Sequence, residues 1–191
     1  QILANDMSKY THFIANKTYE PNEAVYHSED VTQVNTREEI WNIVQDVSAF
    51  VRKTNVVFPA NANLEISHHY GINRFYEAGI AMITVVNREY CKKLIIALPG
   101  QTHPAQYHKR KEETFVVLYG DVALELDGVS TTLTKGEVVT IEPGVVHRFS
   151  TENGCIIEEV SSTHYKDDSF YIDPIIGQNK NRKTFIPHWV E

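Results

Sequence analysis

The sequence predicts a mainly β protein, a sandwich or small barrel, preceded by an arm that carries one helix. From residue 80 onward, short runs rich in Val, Ile, Thr and Tyr recur between turn signals: Pro99-Gly100, Asp127-Gly128, Lys135-Gly136, Pro143-Gly144 and Asn153-Gly154. No segment of that region repeats apolar residues at helical spacing. Over 191 residues, 42% are hydrophobic and 10% aromatic, enough for a single domain to bury a core.

Residues 1–35 are polar and without clear period, and read as an extended arm with one or two edge strands. The spacing predicts a helix over 36–54. Thr36 and Glu39 form a capping box, and Ile40, Trp41, Val44, Val47 and Val51 make an apolar stripe. Residues 55–79 read as irregular, which completes an N-terminal arm of 1–79. Strands are predicted at Ile80–Val86, Lys93–Leu98, Thr114–Tyr119, Val122–Leu126, Val138–Ile141, His147–Ser150 and Cys155–Val160, with Gly120-Asp121 parting the third from the fourth. They place a barrel at 80–165. The segment 166–191, with Pro174 and a Phe185-Ile186-Pro187-His188-Trp189 ending, is expected to pack back on it.

Composition excludes several classes. The formal net charge is −7, and the one dense basic run, Lys109–Lys111, is bounded by Glu112 and Glu113. A nucleic-acid backbone binder needs a basic face instead. Apolar runs such as Leu94–Leu98 are too short for a membrane-spanning helix. Cys91 and Cys155 form no disulfide framework, and with no signal-type apolar start this favours a cytoplasmic setting. A start at Gln1 suits a trimmed chain or a segment of a longer one. Phosphate-cradling Gly-rich loops and a nucleophile elbow are missing from the sequence.

Histidine carries the chemical signal. Gln106 and His108 are two apart and share a strand face, and a short turn through 109–112 lets Glu113 face the same interior. Gly144 makes a tight turn before His147. Two strand pairs meeting in a small barrel can bring His108, Glu113 and His147 to one point. Two imidazoles and a carboxylate suit a divalent Zn, Mn, Fe, Ni or Co ion. Lys111, two residues before Glu113, can reach the same mouth and stabilise developing negative charge. One of Glu158 and Glu159 must face inward, and Glu158 is taken as the candidate base. His103, Tyr119, Phe149 and His164 are taken as substrate-contacting residues of the cavity.

Gly100, His108, Glu113 and Gly120, then Gly136, Gly144 and His147, resemble the two motifs of the cupin superfamily. Gln106 stands where that family usually has its first His, and Glu142-Pro143 shifts the second motif's Pro by one place. The resemblance implies a double-stranded β-helical barrel and a metal held by His108, Glu113, His147 and either Gln106 or His103. Asn87–Leu94, Gln106–Phe115 and Ile157–His164 look like cupin domains linked with nonulosonic (sialic-type) acid biosynthesis. The Lys between His and Glu is similar to cupin sugar isomerases of the lyxose isomerase type. These resemblances imply a metal-dependent isomerase or epimerase acting on a sugar or sugar acid, in a homodimer. A non-catalytic sugar- or nucleotide-sugar-binding domain and an Fe(II) oxygenase are the alternatives.

Overall fold

The computed structural model describes residues 28–59 and 62–187. Most of the expected extended arm, and His188 with Trp189, lie outside the described residues. Helix α1 spans Ser28–Arg52, so it begins upstream of Thr36, and the Thr36–Glu39 pair lies inside it rather than at its start. Ile43, Val44 and Val47 are buried, with Ile40, Phe50 and Val51 packed beside them. Trp41 departs from the predicted stripe and is 46% exposed. It sits about 200° around the axis from Ile43, at about 100° per residue.

The strands are β1 (Leu64–His68), β2 (Gly79–Asn87), β3 (Tyr90–Ala97), β4 (Thr102–Tyr107), β5 (Glu113–Leu126), β6 (Val129–Thr134), β7 (Val138–Ile141), β8 (His147–Ser150), β9 (Cys155–Ser162), β10 (Phe170–Tyr171) and β11 (Lys183–Ile186). A 3-10 turn, Ile72–Arg74, and the short helix α2, Phe75–Ala78, join β1 to β2; α3 is Pro174–Gln178. All pairings are antiparallel, in the order β10-β4-β8-β5-β9-β3-β2-β1-β11, with β6 and β7 also on β5. The sheet therefore begins at Leu64, within the stretch expected to be irregular. The C-terminal segment supplies the strand at each end of the order.

β5 links the two faces of the curled sheet. Its first half pairs with β7 and β9, its second with β6 and β8. The two strands expected on either side of Gly120-Asp121 are one strand, with a register shift between Val117 and Tyr119. A bulge re-aims the side chains that follow it. Tyr119 consequently lies opposite Ile156 and meets Phe50 of α1 edge-on at 5.7 Å, outside the barrel. This corrects its assignment to the cavity.

Among the described residues two apolar cores result. One lies between α1 and the outer face of the sheet, through Leu64, Ile66, Ala81, Ile83, Leu94, Ile96 and Ile156. The other fills the barrel, through Ile80, Ile95, Phe115, Val117, Leu124, Phe149 and Ile157. Strands β2, β3 and β9 are thus apolar on both faces, which erases the alternation a half-exposed strand shows.

Gly120 (φ +75°) tests the bulge. A Cβ there would stand 2.1 Å from the Gly154 carbonyl oxygen, whereas at Gly128 (φ +84°) it would meet nothing within 4 Å. Both substitutions by Ala carry left-handed strain of about 1–2 kcal/mol; only Gly120→Ala adds a backbone clash. Gly120→Ala is expected to lower the melting temperature well beyond Gly128→Ala, at about 2–4 °C per kcal/mol. Equal shifts in thermal unfolding would contradict this packing.

Candidate active site

His108 follows β4, Glu113 opens β5 and His147 opens β8. Their ligating atoms lie within 4.8 Å of one another, and all three residues are buried. Glu113 Oε1 is 3.0 Å from His147 Nε2 and 3.6 Å from His108 Nε2. His108 Nδ1 donates to the Asp168 carbonyl at 2.5 Å, and His147 Nδ1 to the Val145 carbonyl at 3.1 Å. A carbonyl oxygen only accepts, so each Nδ1 carries the ring proton and each Nε2 presents a lone pair. His108 Nε2 and Glu113 Oε1 are buried without a hydrogen-bond partner among the described residues, as is Gln106 Oε1. Proton-free nitrogens around a carboxylate oxygen fit a divalent cation. Gln106 Nε2 lies 3.4 Å from His147 Nε2, so the amide borders the same point.

The loop carrying these groups is pinned from a distance. The Asp168 carboxylate accepts from the backbone N–H of Lys109 at 3.0 Å, Arg110 at 3.1 Å and Lys111 at 2.9 Å. Asp168 thereby fixes both the turn and, through its carbonyl, the His108 ring. Nothing in the sequence near Asp168 announces this.

A chain of buried charges runs inward from Glu113. Lys111 Nζ bridges Glu113 Oε2 and Glu159 Oε1, the latter at 2.9 Å. Lys93 Nζ reaches Glu159 Oε1 at 3.2 Å and His164 Nδ1 at 3.3 Å, and Ser161 Oγ donates to Glu159 Oε1 at 3.2 Å. Burial alone would raise the Glu159 carboxyl, but Lys93 and Lys111 hold it far below its ordinary value. Burial would likewise lower Lys111, and Glu159 and Glu113 hold it above its usual range. For Glu113, burial and the Glu159 charge push upward, while the Lys111 ammonium prevails and brings it down. Burial and Lys93 take His164 down to about 3, so it is neutral.

Glu159, not Glu158, faces the interior, which corrects the candidate base. On β9, Glu158 points outward to Lys92 at 2.5 Å, and Glu159 shares the inner face with Ile157. Lys93 was missed; Lys92-Lys93 facing Glu158-Glu159 in otherwise apolar strands is the signal that could have found it.

The cavity at this site is about 40 Å³. Its wall includes His103, Gln106, His108, Lys111, Glu113, His147, Phe149 and His164, with Lys93 and Glu159; Glu158 and Tyr119 are not on it. His103 reaches the interior because β4 shifts register against β8 between His103 and Gln106. Pro104, which has no N–H to give a ladder, lies in that interval. His103 stacks on Phe149 at 5.0 Å and stands apart from the triad.

Glu159 also sets a pH expectation. Its folded carboxyl lies below the ordinary 4.5, so its stabilisation is complete above that value and lost as pH falls through the folded value. Lys111 is displaced upward, so its share is complete below 10.5 and lost at higher pH. Glu159→Gln, which leaves buried Lys93 without a carboxylate and Lys111 with Glu113 alone, is expected to cost about 3–5 kcal/mol near neutrality. The deficit should shrink below about pH 4.5. Denaturant unfolding across this range checks it, and a pH-independent deficit would contradict it.

Comparison with known proteins agrees with the barrel. The cupin domain model matches residues 93–154. The chain is 28% identical to a D-lyxose/D-mannose isomerase of Thermosediminibacter oceani, over 73% of this chain and 94% of the relative. It is also 28% identical to a D-lyxose ketol-isomerase of a Thermofilum species, over 55% and 74%. Among solved structures, the L-ribose isomerase of Cellulomonas parahominis superposes with a TM-score of 0.61 at 14% identity, over 74% of this chain and 94% of that one. The fold is the cupin double-stranded β-helix with an N-terminal helix packed on its outer face.

Proposed function

We propose that this chain is a metal-dependent aldose–ketose isomerase of a small sugar. The observation that carries the reading is the convergence of His108 Nε2, His147 Nε2 and Glu113 Oε1, free of ring protons, beside a buried ionised carboxylate and lysine. The relatives named as D-lyxose isomerases support it. His108, Glu113 and His147 would hold the ion. Gln106 would complete the set, since a half-turn of its amide presents the oxygen in place of the nitrogen. A bound divalent ion would polarise two adjacent sugar oxygens and stabilise enediolate charge.

Glu159 takes the proton from the carbon beside the carbonyl and returns it to the former carbonyl carbon. Lys111 faces the developing oxygen charge and passes the hydroxyl proton from one oxygen to its neighbour. The net result moves one C–H and one O–H hydrogen and consumes no co-reactant. The cavity lysines already meet carboxylates: Lys93 and Lys111 meet Glu159, and Lys183 meets Glu65 at 2.7 Å. This pairing favours a neutral polyol over a sugar acid. The likeness of Asn87–Leu94 and Ile157–His164 to nonulosonic-acid-linked domains supports a place in cell-surface carbohydrate metabolism.

A sugar-binding module without turnover is the second reading, favoured by the neutral Gln106 amide in the position of an imidazole. Incubation with D-lyxose, D-mannose or L-ribose in D2O, with Mn, Co, Ni, Zn or Fe(II) supplied, separates the two. The isomerase reading expects ketose, with solvent deuterium on carbon wherever the proton held by Glu159 exchanges before its return, and Glu159→Gln about 10²- to 10⁴-fold slower with its metal retained. Metal-loaded protein that binds sugar with neither ketose nor deuterium exchange would leave the binding module.

A further inference from the structure

We infer that His103 is a specificity-determining residue that takes a sugar hydroxyl at the end of the substrate remote from the metal ligands. This rests on the isomerase reading. His103 lines the cavity and is 5% exposed, and its Nδ1 is buried without a hydrogen-bond partner among the described residues. Two aromatic contacts hold the ring in place. It lies parallel to Phe149, with a 6° interplanar angle, and meets the His69 ring edge-on at 4.8 Å. His69 cannot satisfy it by hydrogen bonding, because its own nitrogens go to the Ala78 carbonyl at 2.6 Å and Ser67 Oγ at 3.4 Å.

Position gives the direction of reading. On β4 and β8, Gln106 pairs with His147 and His103 with Phe149. The step from His147 to Phe149 is two residues, about 7 Å along the strand. That is the reach of a short polyol chain whose first two oxygens lie at the triad. Burial keeps His103 well below its ordinary value, outweighing a backbone contact at Pro104 that pulls it up, and hence neutral. Nδ1 of a neutral imidazole donates or accepts according to the tautomer, and a hydroxyl can answer either; an anion could answer only the donor. A packing role alone would be served as well by a second phenyl ring on Phe149.

The experiment compares wild type, His103→Phe and His103→Gln on D-lyxose and on analogues deoxygenated in turn at each carbon beyond the first two. Phe keeps the stack and deletes the nitrogens; Gln restores a donor and an acceptor. For wild type, one analogue is expected to lose roughly tenfold or more in kcat/KM. His103→Phe should lose a similar factor on D-lyxose, carried mainly by KM, and show no further loss on that analogue. His103→Gln should recover part of the discrimination, with bound metal and melting temperature unchanged in both variants. An equal loss on every sugar, or unaltered discrimination, would overturn the assignment. If no sugar turns over, the isomerase reading fails and the same comparison is made by calorimetric binding of the corresponding reduced polyols. Selective loss there still supports His103, and absence of binding overturns both.

Discussion

The ammonium of Lys111, held between the carboxylates of Glu113 and Glu159, is the contact on which the interior depends. Each of the three is no more than 4% exposed at its side chain. Single buried charges are costly, and removing one member of such a set strands the others. Lys111 also divides the labour of Glu113. By occupying Oε2 it leaves Oε1 aimed at the two Nε2 lone pairs. The ligand geometry and the charge chain are therefore one arrangement.

The rest of the fold can be understood as support for that arrangement. A barrel wall bearing Lys93, Lys111, Glu113 and Glu159 has less apolar area to bury than an ordinary β core. Helix α1 compensates by giving the sheet a second core on its outer face, where Ile43, Val44 and Val47 cover Leu94, Ile96 and Ile156. Asp168 then closes the ring, joining the C-terminal segment to the turn that carries His108 and Lys111. Side chains fixed this way would need little rearrangement as charge develops on a sugar in the proposed reaction.

Much of the barrel was legible in the sequence because turn glycines and β-branched runs are local signals. The triad was legible because strand parity and a tight turn place His108, Glu113 and His147 without reference to distant residues. Where long-range packing decides, the reading failed. The two-faced burial of β9 concealed whether Glu158 or Glu159 faces inward. The bulge at Val117–Tyr119 carried Tyr119 to the helix side. Lys93 acquires its place only through pairing with β9, and Asp168 only through the return of the chain to the Lys109–Lys111 turn. His103 lines the cavity as expected, although the Pro104 interval and not strand parity takes it there.

The most direct measurement of the central claim is bound metal per chain by mass spectrometry, on protein purified without chelators or a histidine tag, beside His108→Ala and His147→Ala. The account predicts close to one divalent transition-metal ion per chain in wild type and little in either variant, with both variants folded by circular dichroism. Metal far below stoichiometry that added ions do not restore, or equal retention in both variants, would contradict it.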